Sequence, residues 1–164
     1  MNINDQAREE LLQEVNKLTD EEINRKPTEG KWSIRQIMEH LVLMEGGIAK
    51  TVAEQLSSED KHNTADKPIE FTINRETKVQ APEFMVPGDE FLTLDALKQK
   101  LAYTHEQLNQ LAEHADPDEL ATRSYPHPVF GEMNLKQWIP FVGYHEKRHI
   151  EQIREVKEAL NLEK

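Results

Sequence analysis

The chain has 164 residues, enough for one domain with its own core, and we treat residues 1–164 as a single domain. Lysine and arginine number 20 against 31 aspartates and glutamates, and the resulting charge of −11 argues against nucleic acid or an anionic membrane as partner. The absence of cysteine excludes disulfides, thiolate metal ligands and a cysteine nucleophile, so a transition metal would need imidazole and carboxylate ligands.

The start of the chain and the lengths of its apolar runs predict the cellular location of the protein. The sequence opens with the polar stretch MNINDQAREE, which lacks the apolar segment of a secretory signal. No apolar run approaches the roughly 20 residues that a membrane span needs. We therefore expect a cytoplasmic protein.

Four segments repeat apolar residues at the spacing of an amphipathic helix, and together they predict an all-α four-helix bundle. The first segment covers residues 5–18. The second covers residues 33–56 and begins at Ser33, a good N-cap with Gln36 as its capping-box partner. No alternating run is long enough to predict a sheet.

A long connector at residues 57–90 separates the second helix from the third, and its stretch 69–82 could contain a short extended piece. Links longer than about 15 residues are often ordered by packing across the fold, and one such link can run along a four-helix bundle. The third predicted helix covers residues 93–115. The fourth covers residues 134–160, and Pro140 in its first turns predicts a kink or a later start.

The fourth helix contains HEKRH at residues 145–149, which matches the H-E-x-x-H motif of zinc peptidases. Gln152 and Glu155 stand where one peptidase class has a glycine and its third histidine ligand. The 15 residues after His149 continue the same helix and cannot return a carboxylate to it. We therefore reject the peptidase interpretation and expect Glu146 to be a solvated or rim carboxylate.

His145 and His149 are still unusual, because both lie on the apolar side of the fourth helix. At about 100° per residue they share one arc with Trp138 and Val142, and Gln152 lies beside them. Two imidazoles on an apolar face require hydrogen-bond partners or a metal ion. The pattern by itself leaves both explanations open.

A third imidazole from another helix would favour the metal. His40 lies at the flank of the apolar stripe on the second helix, and Gly46 and Gly47 after it could leave room near the bundle axis or bend the helix. His105 falls on the apolar stripe of the third helix and is a rival third ligand or a pocket residue. We expect His127, within YPHPVFG, to be structural.

Three stretches resemble the DinB-like superfamily, which includes the YfiT-type proteins. KWSIRQIMEHLVLMEGG at 31–47 is similar to the W-S-x-x-x-I-x-x-H-L helix of that group. HPVFGEMNLKQWIPFVGYHEKRHIEQI at 127–153 is similar to its H-P-x-F-G…W…H-x-x-x-H-x-x-Q-I segment. QAPEFMVPGDEFLTLDALKQKL at 80–101 resembles its proline-containing connector and third helix, so that the resemblance covers most of residues 5–160.

The resemblance implies an up-up-down-down four-helix bundle with a long connector between the second and third helices. It implies a divalent metal, most often nickel or zinc, held by His40, His145 and His149, and also a homodimer. Activities in the group include the transfer of low-molecular-weight thiols such as bacillithiol or mycothiol, conjugation or isomerisation, and hydrolysis. Many members have no known reaction.

Three neutral imidazoles would leave a divalent ion its full charge and an open position. A bound water could then be activated for hydrolysis, or a thiol substrate could bind as thiolate. Glu146 or His105 could serve as a proton shuttle, and Gln152 could support His149 from one turn away. Thiol transfer would also need cations for the carboxylates of the thiol, and the candidates are Arg35, Lys147 and Arg148.

The sequence thus leaves three interpretations. The first is a metal-dependent enzyme acting on a small molecule, either a hydrolase or a low-molecular-weight thiol S-transferase. The second is a metal- or ligand-binding, stress-related bundle without turnover. The third is a helical dimerisation module whose core histidines are satisfied internally. Three neutral ligands around an open position favour the first.

Overall fold

The structure is a computed structural model that describes residues 2–61, 63–74 and 86–162. Its elements in chain order are α1 (Ile3–Val15), α2 (Asp20–Asn24), α3 (Ile34–Leu56), a 3₁₀ helix (Ile69–Ile73), α4 (Leu94–His114), α5 (Pro117–Thr122), β1 (Ser124–His127), β2 (Gly131–Asn134) and α6 (Leu135–Ala159). None of the helices described combines the length and apolar character needed to cross a bilayer.

Each long helix begins at a polar side chain that accepts a hydrogen bond from its first turn. Ser33 and Gln36 form the predicted capping box at the start of α3. Thr93 caps α4 and Asn134 caps α6 in the same way. Asn2 caps α1, so that this helix starts two residues before its predicted position. Local chemistry therefore determines where the long helices begin.

The core has two halves, and the helix segments in each half define the chain directions. One half contains the end of α1, the beginnings of α3 and α4, and the end of α6. The other half contains later parts of α3 and α4 and the beginning of α6. Helices α1 and α6 therefore run one way, and α3 and α4 run the other way.

The all-α four-helix bundle with its long second connector is confirmed, but the helix order is up-down-down-up and not the expected up-up-down-down. Contacts along α1 and α6 advance together, from Asn4 with Ile139 to Glu14 with Arg154, so these helices are parallel. The short link after α1 reverses the chain, as short links between bundle helices do. The long link after α3 instead joins two parallel helices.

The connectors contain short elements that the sequence did not predict. The Pro- and Gly-rich loop before α6 forms α5 and the antiparallel pair β1–β2, whose four-residue strands are too short to show a period of two. Within the stretch 69–82, where a short extended piece was possible, the first five residues form a 3₁₀ helix and residues 75–82 are not described. His62 and residues 75–85 lie outside the described residues. Helix α6 includes Pro140 and is not delayed by it.

Candidate metal centre

Three histidines converge between α3 and α6. Nε2 of His145 lies 3.3 Å from Nε2 of His40 and 3.1 Å from Nε2 of His149. In the part of the chain that the structure describes, they are the one group of three or more His, Asp or Glu side chains whose ligand atoms lie within 4.8 Å of one another. The structure thus brings together the three residues that the sequence and the resemblance indicated as ligands.

The helices place these rings by simple geometry. His145 and His149 are one turn apart on α6, and His40 lies on α3 between buried Ile37 and Leu41. His40 and His145 are buried, whereas His149 is partly exposed. The cluster is therefore closed toward the core and more open at His149.

The contact with Gln152 determines which nitrogen of the neutral His149 ring carries the hydrogen. Its Oε1 lies 2.7 Å from Nδ1 of His149. An amide oxygen only accepts hydrogen bonds, so Nδ1 carries the proton and Nε2 presents its lone pair to the other two rings. The side chain that the sequence placed one turn from His149 thus contacts this ring directly.

Electrostatics favour the neutral rings that a metal requires. Burial lowers the pKa of His145 well below its ordinary value, and the charges of His149 and His40 would lower it further. Metal binds to neutral imidazole, so a low pKa keeps the ligand available.

The spacing of the nitrogen atoms fits a divalent ion. With metal–nitrogen bonds of about 2.1 Å, two ligands are about 3.4 Å apart at the tetrahedral angle and about 3.0 Å apart at a right angle. The observed spacings of 3.3 and 3.1 Å fall in this interval. A hydrogen bond would join only two of the three facing Nε2 atoms, whereas one metal ion could bind all three.

Aromatic rings pack against two of the ligands, and sequence reasoning did not assign them this role. Trp32 lies on His40 with ring centroids 5.2 Å apart, and Phe141 lies on His145 at 5.8 Å. Trp32 directly precedes the N-cap of α3, a position whose apolar residue often packs on the first turns of the helix. That position was the available signal in the sequence.

Glu146 is not the solvated rim carboxylate that the sequence predicted. It is 2% exposed, and it accepts hydrogen bonds from Nε and Nη2 of Arg8 at 3.0 and 2.9 Å. Burial raises the pKa of Glu146, and the charge of Arg8 opposes that rise. Both of its carboxylate oxygens accept hydrogen bonds from the Arg8 guanidinium in this structure. A role of Glu146 as a proton shuttle stays a prediction.

His105 lies outside the ligand cluster, so the alternative of a third ligand at this position is wrong for this structure. Its Nδ1 is 3.2 Å from Oε2 of Glu45 and its Nε2 is 2.8 Å from Oδ1 of Asp5. The hydrogen bond to Glu45 raises the pKa of His105 and the bond to Asp5 adds to this, against the effect of burial. A proton shuttle at His105 stays a prediction.

The three cations considered for a thiol substrate already contact protein groups. Arg35 is buried and pairs with Glu39. Lys147 pairs with Glu10, and Arg148 donates to backbone carbonyls at the end of the 3₁₀ helix. A thiol carboxylate bound here would have to share these cations with the protein groups that they already contact.

His127 stabilises the β1–β2 turn, because its Nδ1 accepts the backbone N–H groups of Val129 and Phe130. Burial lowers the pKa of His127 to about 4. The unfolded ring titrates near pH 6.5, so between about pH 6.5 and 4 the unfolded state binds more protons. The stability due to neutral His127 is therefore complete above about pH 6.5 and is lost as the pH falls toward about 4, by on the order of 3 kcal/mol.

We expect His127→Asn, whose amide oxygen can accept the same N–H groups, to lose less stability than the wild type between pH 7 and pH 4.5. Urea unfolding at each pH measures this difference. His114→Asn, which changes an exposed histidine, is the control and should follow the wild type. An equal loss of stability in His127→Asn and the wild type over this pH range would contradict the assignment of the loss to His127.

Comparison with known protein families gives one match over most of the chain. The model described as DinB superfamily matches residues 3–153. The uncharacterized protein YuaE of Bacillus subtilis (strain 168) is 34% identical over 160 residues, which is 98% of each chain. "Putative metal-dependent hydrolase OB0413" of Oceanobacillus iheyensis is 24% identical over 88% of this chain and 75% of its own.

Two solved structures share the fold. YfiT from Bacillus subtilis, described as a probable metal-dependent hydrolase with an unusual four-helix bundle topology, has a TM-score of 0.65 at 17% identity, over 97% of this chain and 84% of its own. TT2238, described as a four-helix bundle protein, has a TM-score of 0.63 at 20% identity, over 93% of this chain and 94% of its own. These identities support the fold and not a shared reaction.

Proposed function

The chain belongs to the DinB superfamily, and on that premise we propose that it is a metal-dependent hydrolase of a small molecule. The observation that carries the proposal is the convergence of His40, His145 and His149: Nε2 of His145 lies 3.3 and 3.1 Å from the other two Nε2 atoms, and the ligand atoms of all three rings lie within 4.8 Å of one another. Nickel or zinc is the ion that we propose for the centre.

The residues of the centre have separate tasks in this proposal. An ion held by three neutral imidazoles supplies a positive charge that polarises a substrate carbonyl and activates water. His40 and His145 hold it from the buried side. Gln152 keeps the lone pair of His149 directed at it. Since His149 is partly exposed, the substrate approaches from its side.

Hydrolysis is preferred to thiol transfer for two reasons. The similar protein OB0413 is described as "Putative metal-dependent hydrolase". The candidate cations Arg35, Lys147 and Arg148 are engaged with protein groups, which disfavours a thiol that carries carboxylates. A metal-binding bundle without turnover uses the same centre, and only an activity measurement separates it from the hydrolase.

Assay of reconstituted protein tests the proposal. Chelator-treated protein is loaded with one equivalent of zinc, nickel, cobalt or manganese and is assayed on a panel of small esters and amides. A parallel assay supplies a low-molecular-weight thiol and an electrophile. We expect metal-dependent hydrolysis that falls at least about 100-fold in His149→Ala, because the ion loses one of three ligands, and that persists in His114→Ala.

The other outcomes of this assay are equally informative. Thiol consumption without hydrolysis would identify the S-transferase. Stoichiometric metal with neither reaction would identify the bundle without turnover.

The homodimer and the cytoplasmic location stay predictions. Light scattering of the purified protein tests the first, and cell fractionation tests the second.

A further inference from the structure

A buried ionic cluster connects the four long helices. Arg8 of α1 donates to Glu146 of α6 through Nε and Nη2, at 3.0 and 2.9 Å. Its Nη2 also donates to Glu45 of α3 at 2.9 Å, and its Nη1 donates to the carbonyl oxygen of Leu101 in α4 at 2.8 Å. One guanidinium thus contacts the other three long helices at once.

One carboxylate of the cluster, that of Glu45, also has partners other than Arg8. Glu45 accepts from Oγ1 of Thr104 at 2.6 Å, and its Oε2 lies 3.2 Å from Nδ1 of His105. Burial would raise the pKa of Glu45, but the hydrogen bond from His105 and the charge of Arg8 hold it below its ordinary value. The cluster therefore contains a charged arginine and a charged Glu45, although Arg8, Glu45 and Glu146 are only 7%, 1% and 2% exposed.

Stability alone is a poor explanation of this cluster. Replacing a buried ion pair with apolar residues of similar size is often neutral or stabilising, whereas removing one partner is strongly destabilising. Charge-assisted, bidentate hydrogen bonds do specify position and orientation closely. Such a cluster is suited to fixing how helices lie against one another.

The helices that it fixes are the two that carry the three histidines. Glu146 directly follows His145 on α6. Glu45 lies five residues after His40 on α3, which is about 7.5 Å along the helix axis. Arg8 therefore contacts both ligand helices within about two turns of the ligands.

We propose that Arg8 is a positioning residue for the metal centre: through Glu146 and Glu45 it holds α6 and α3 so that the three Nε2 atoms stay at ligand spacing. The inference rests on the proposed metal site but not on the reaction. It makes metal affinity depend on α1, a helix that supplies no ligand to the cluster.

The test needs variants that keep the protein folded. Removing Arg8 alone would leave the buried Glu146 without its arginine and Glu45 with only His105 and Thr104, so that loss of folding would obscure the result. Arg8→Lys keeps the charge but loses the planar fork that contacts two helices. The triple variant Arg8→Met/Glu45→Gln/Glu146→Gln leaves no unpaired charge in the cluster.

Arg154→Met is the matched control. Arg154 also links α6 to α1, through Glu10 and Glu14, but its side chain is 40% exposed at the surface. The substitution Arg154→Met therefore removes an ion-paired arginine between the same two helices and leaves the buried cluster unchanged.

The experiment measures Co²⁺ affinity by competition with a chromogenic chelator, together with the visible absorption spectrum of bound Co²⁺. Circular dichroism and urea unfolding establish which metal-free variants are fully folded, and only those are compared. A merely structural role lowers stability but leaves the affinity of the folded protein unchanged.

We expect Arg8→Lys and the triple variant to bind Co²⁺ about 10- to 100-fold more weakly than the wild type, with a changed spectrum. Arg154→Met should stay within about twofold. Wild-type affinity and spectrum in the folded triple variant would overturn the inference, as would an equal loss in Arg154→Met. Wild-type protein that binds Co²⁺ tightly but hydrolyses nothing would defeat the proposed reaction and leave this inference in place, whereas wild-type protein that binds no Co²⁺ would overturn both.

Discussion

His145→Ala is expected to abolish stoichiometric binding of a divalent ion. His145 is the buried ligand whose Nε2 lies 3.3 Å from Nε2 of His40 and 3.1 Å from Nε2 of His149. Outer-shell changes at metal sites already cost about 10- to 100-fold in affinity, so loss of a ligand should cost more than about 100-fold. Elemental analysis of tag-free, metal-replete protein measures the bound metal directly.

Thermal unfolding gives an independent measure of the same prediction. An ion present at about 100 times its Kd stabilises the folded state by about 2.7 kcal/mol. For a chain of this size that corresponds to a rise in Tm of roughly 5–10 °C. We expect this rise in the wild type and its absence in His145→Ala.

Trp32 supplies a spectroscopic reading of the centre, because its ring lies 5.2 Å from the ring of His40. Bound Co²⁺ or Ni²⁺ should quench its fluorescence in the wild type but not in His145→Ala, and Trp32→Phe identifies the signal of this ring. His114→Ala removes an exposed imidazole and should behave as the wild type. Full metal content in His145→Ala, or substoichiometric metal in replete wild type, would contradict the assignment of the site.

Gly143→Ala is expected to cost roughly 2–4 kcal/mol in the free energy of unfolding. A Cβ atom at Gly143 would lie 2.6 Å from Oδ1 of Asn4, 2.8 Å from the carbonyl carbon of Ile3 and 2.9 Å from the backbone N of Asn4. Two of these atoms belong to the backbone, so a side-chain rotation cannot relieve the clash. Separating the helices would also break the hydrogen bond from the Gly143 N–H to Asn4, at 2.8 Å.

Gly46→Ala is the matched control, since it adds the same methyl group to a glycine within a long helix. There the new Cβ would meet Cγ2 of Thr104 at 3.5 Å, an ordinary contact. Alanine is the better helix former, so we expect a gain of about 0.5–1 kcal/mol. Urea unfolding of the metal-free proteins measures both changes, and wild-type stability in Gly143→Ala would show that α1 and α6 do not pack as closely as described.

The contrast between the two glycines shows a limit of sequence reasoning. The sequence suggested that Gly46 and Gly47 either leave room near the bundle axis or bend the helix. Packing shows ordinary space at Gly46 and the close approach at Gly143, where α1 crosses α6. A glycine within a helical pattern signals either situation, and only the position of the neighbouring helix distinguishes them.

The four long helices, the Ser33 cap and the three ligand candidates were readable from the sequence because each depends on residues close together along the chain. The capping box of Ser33 with Gln36 spans three residues, and His145 with His149 spans one turn. His40 could be selected because its place on the apolar stripe of its own helix is also local information. The resemblance to the superfamily then joined the three histidines into one site.

The tertiary structure alone decided the partners of Glu146 and His105 and the directions of the helices. Arg8 contacts Glu146 across 138 residues of sequence, and His105 contacts Asp5 across 100. Periodicity places a side chain on one face of its helix but carries no information about which helix that face will meet. The sequence therefore determined which imidazoles face the core, whereas packing determined that the carboxylate beside them is buried against an arginine from the first helix.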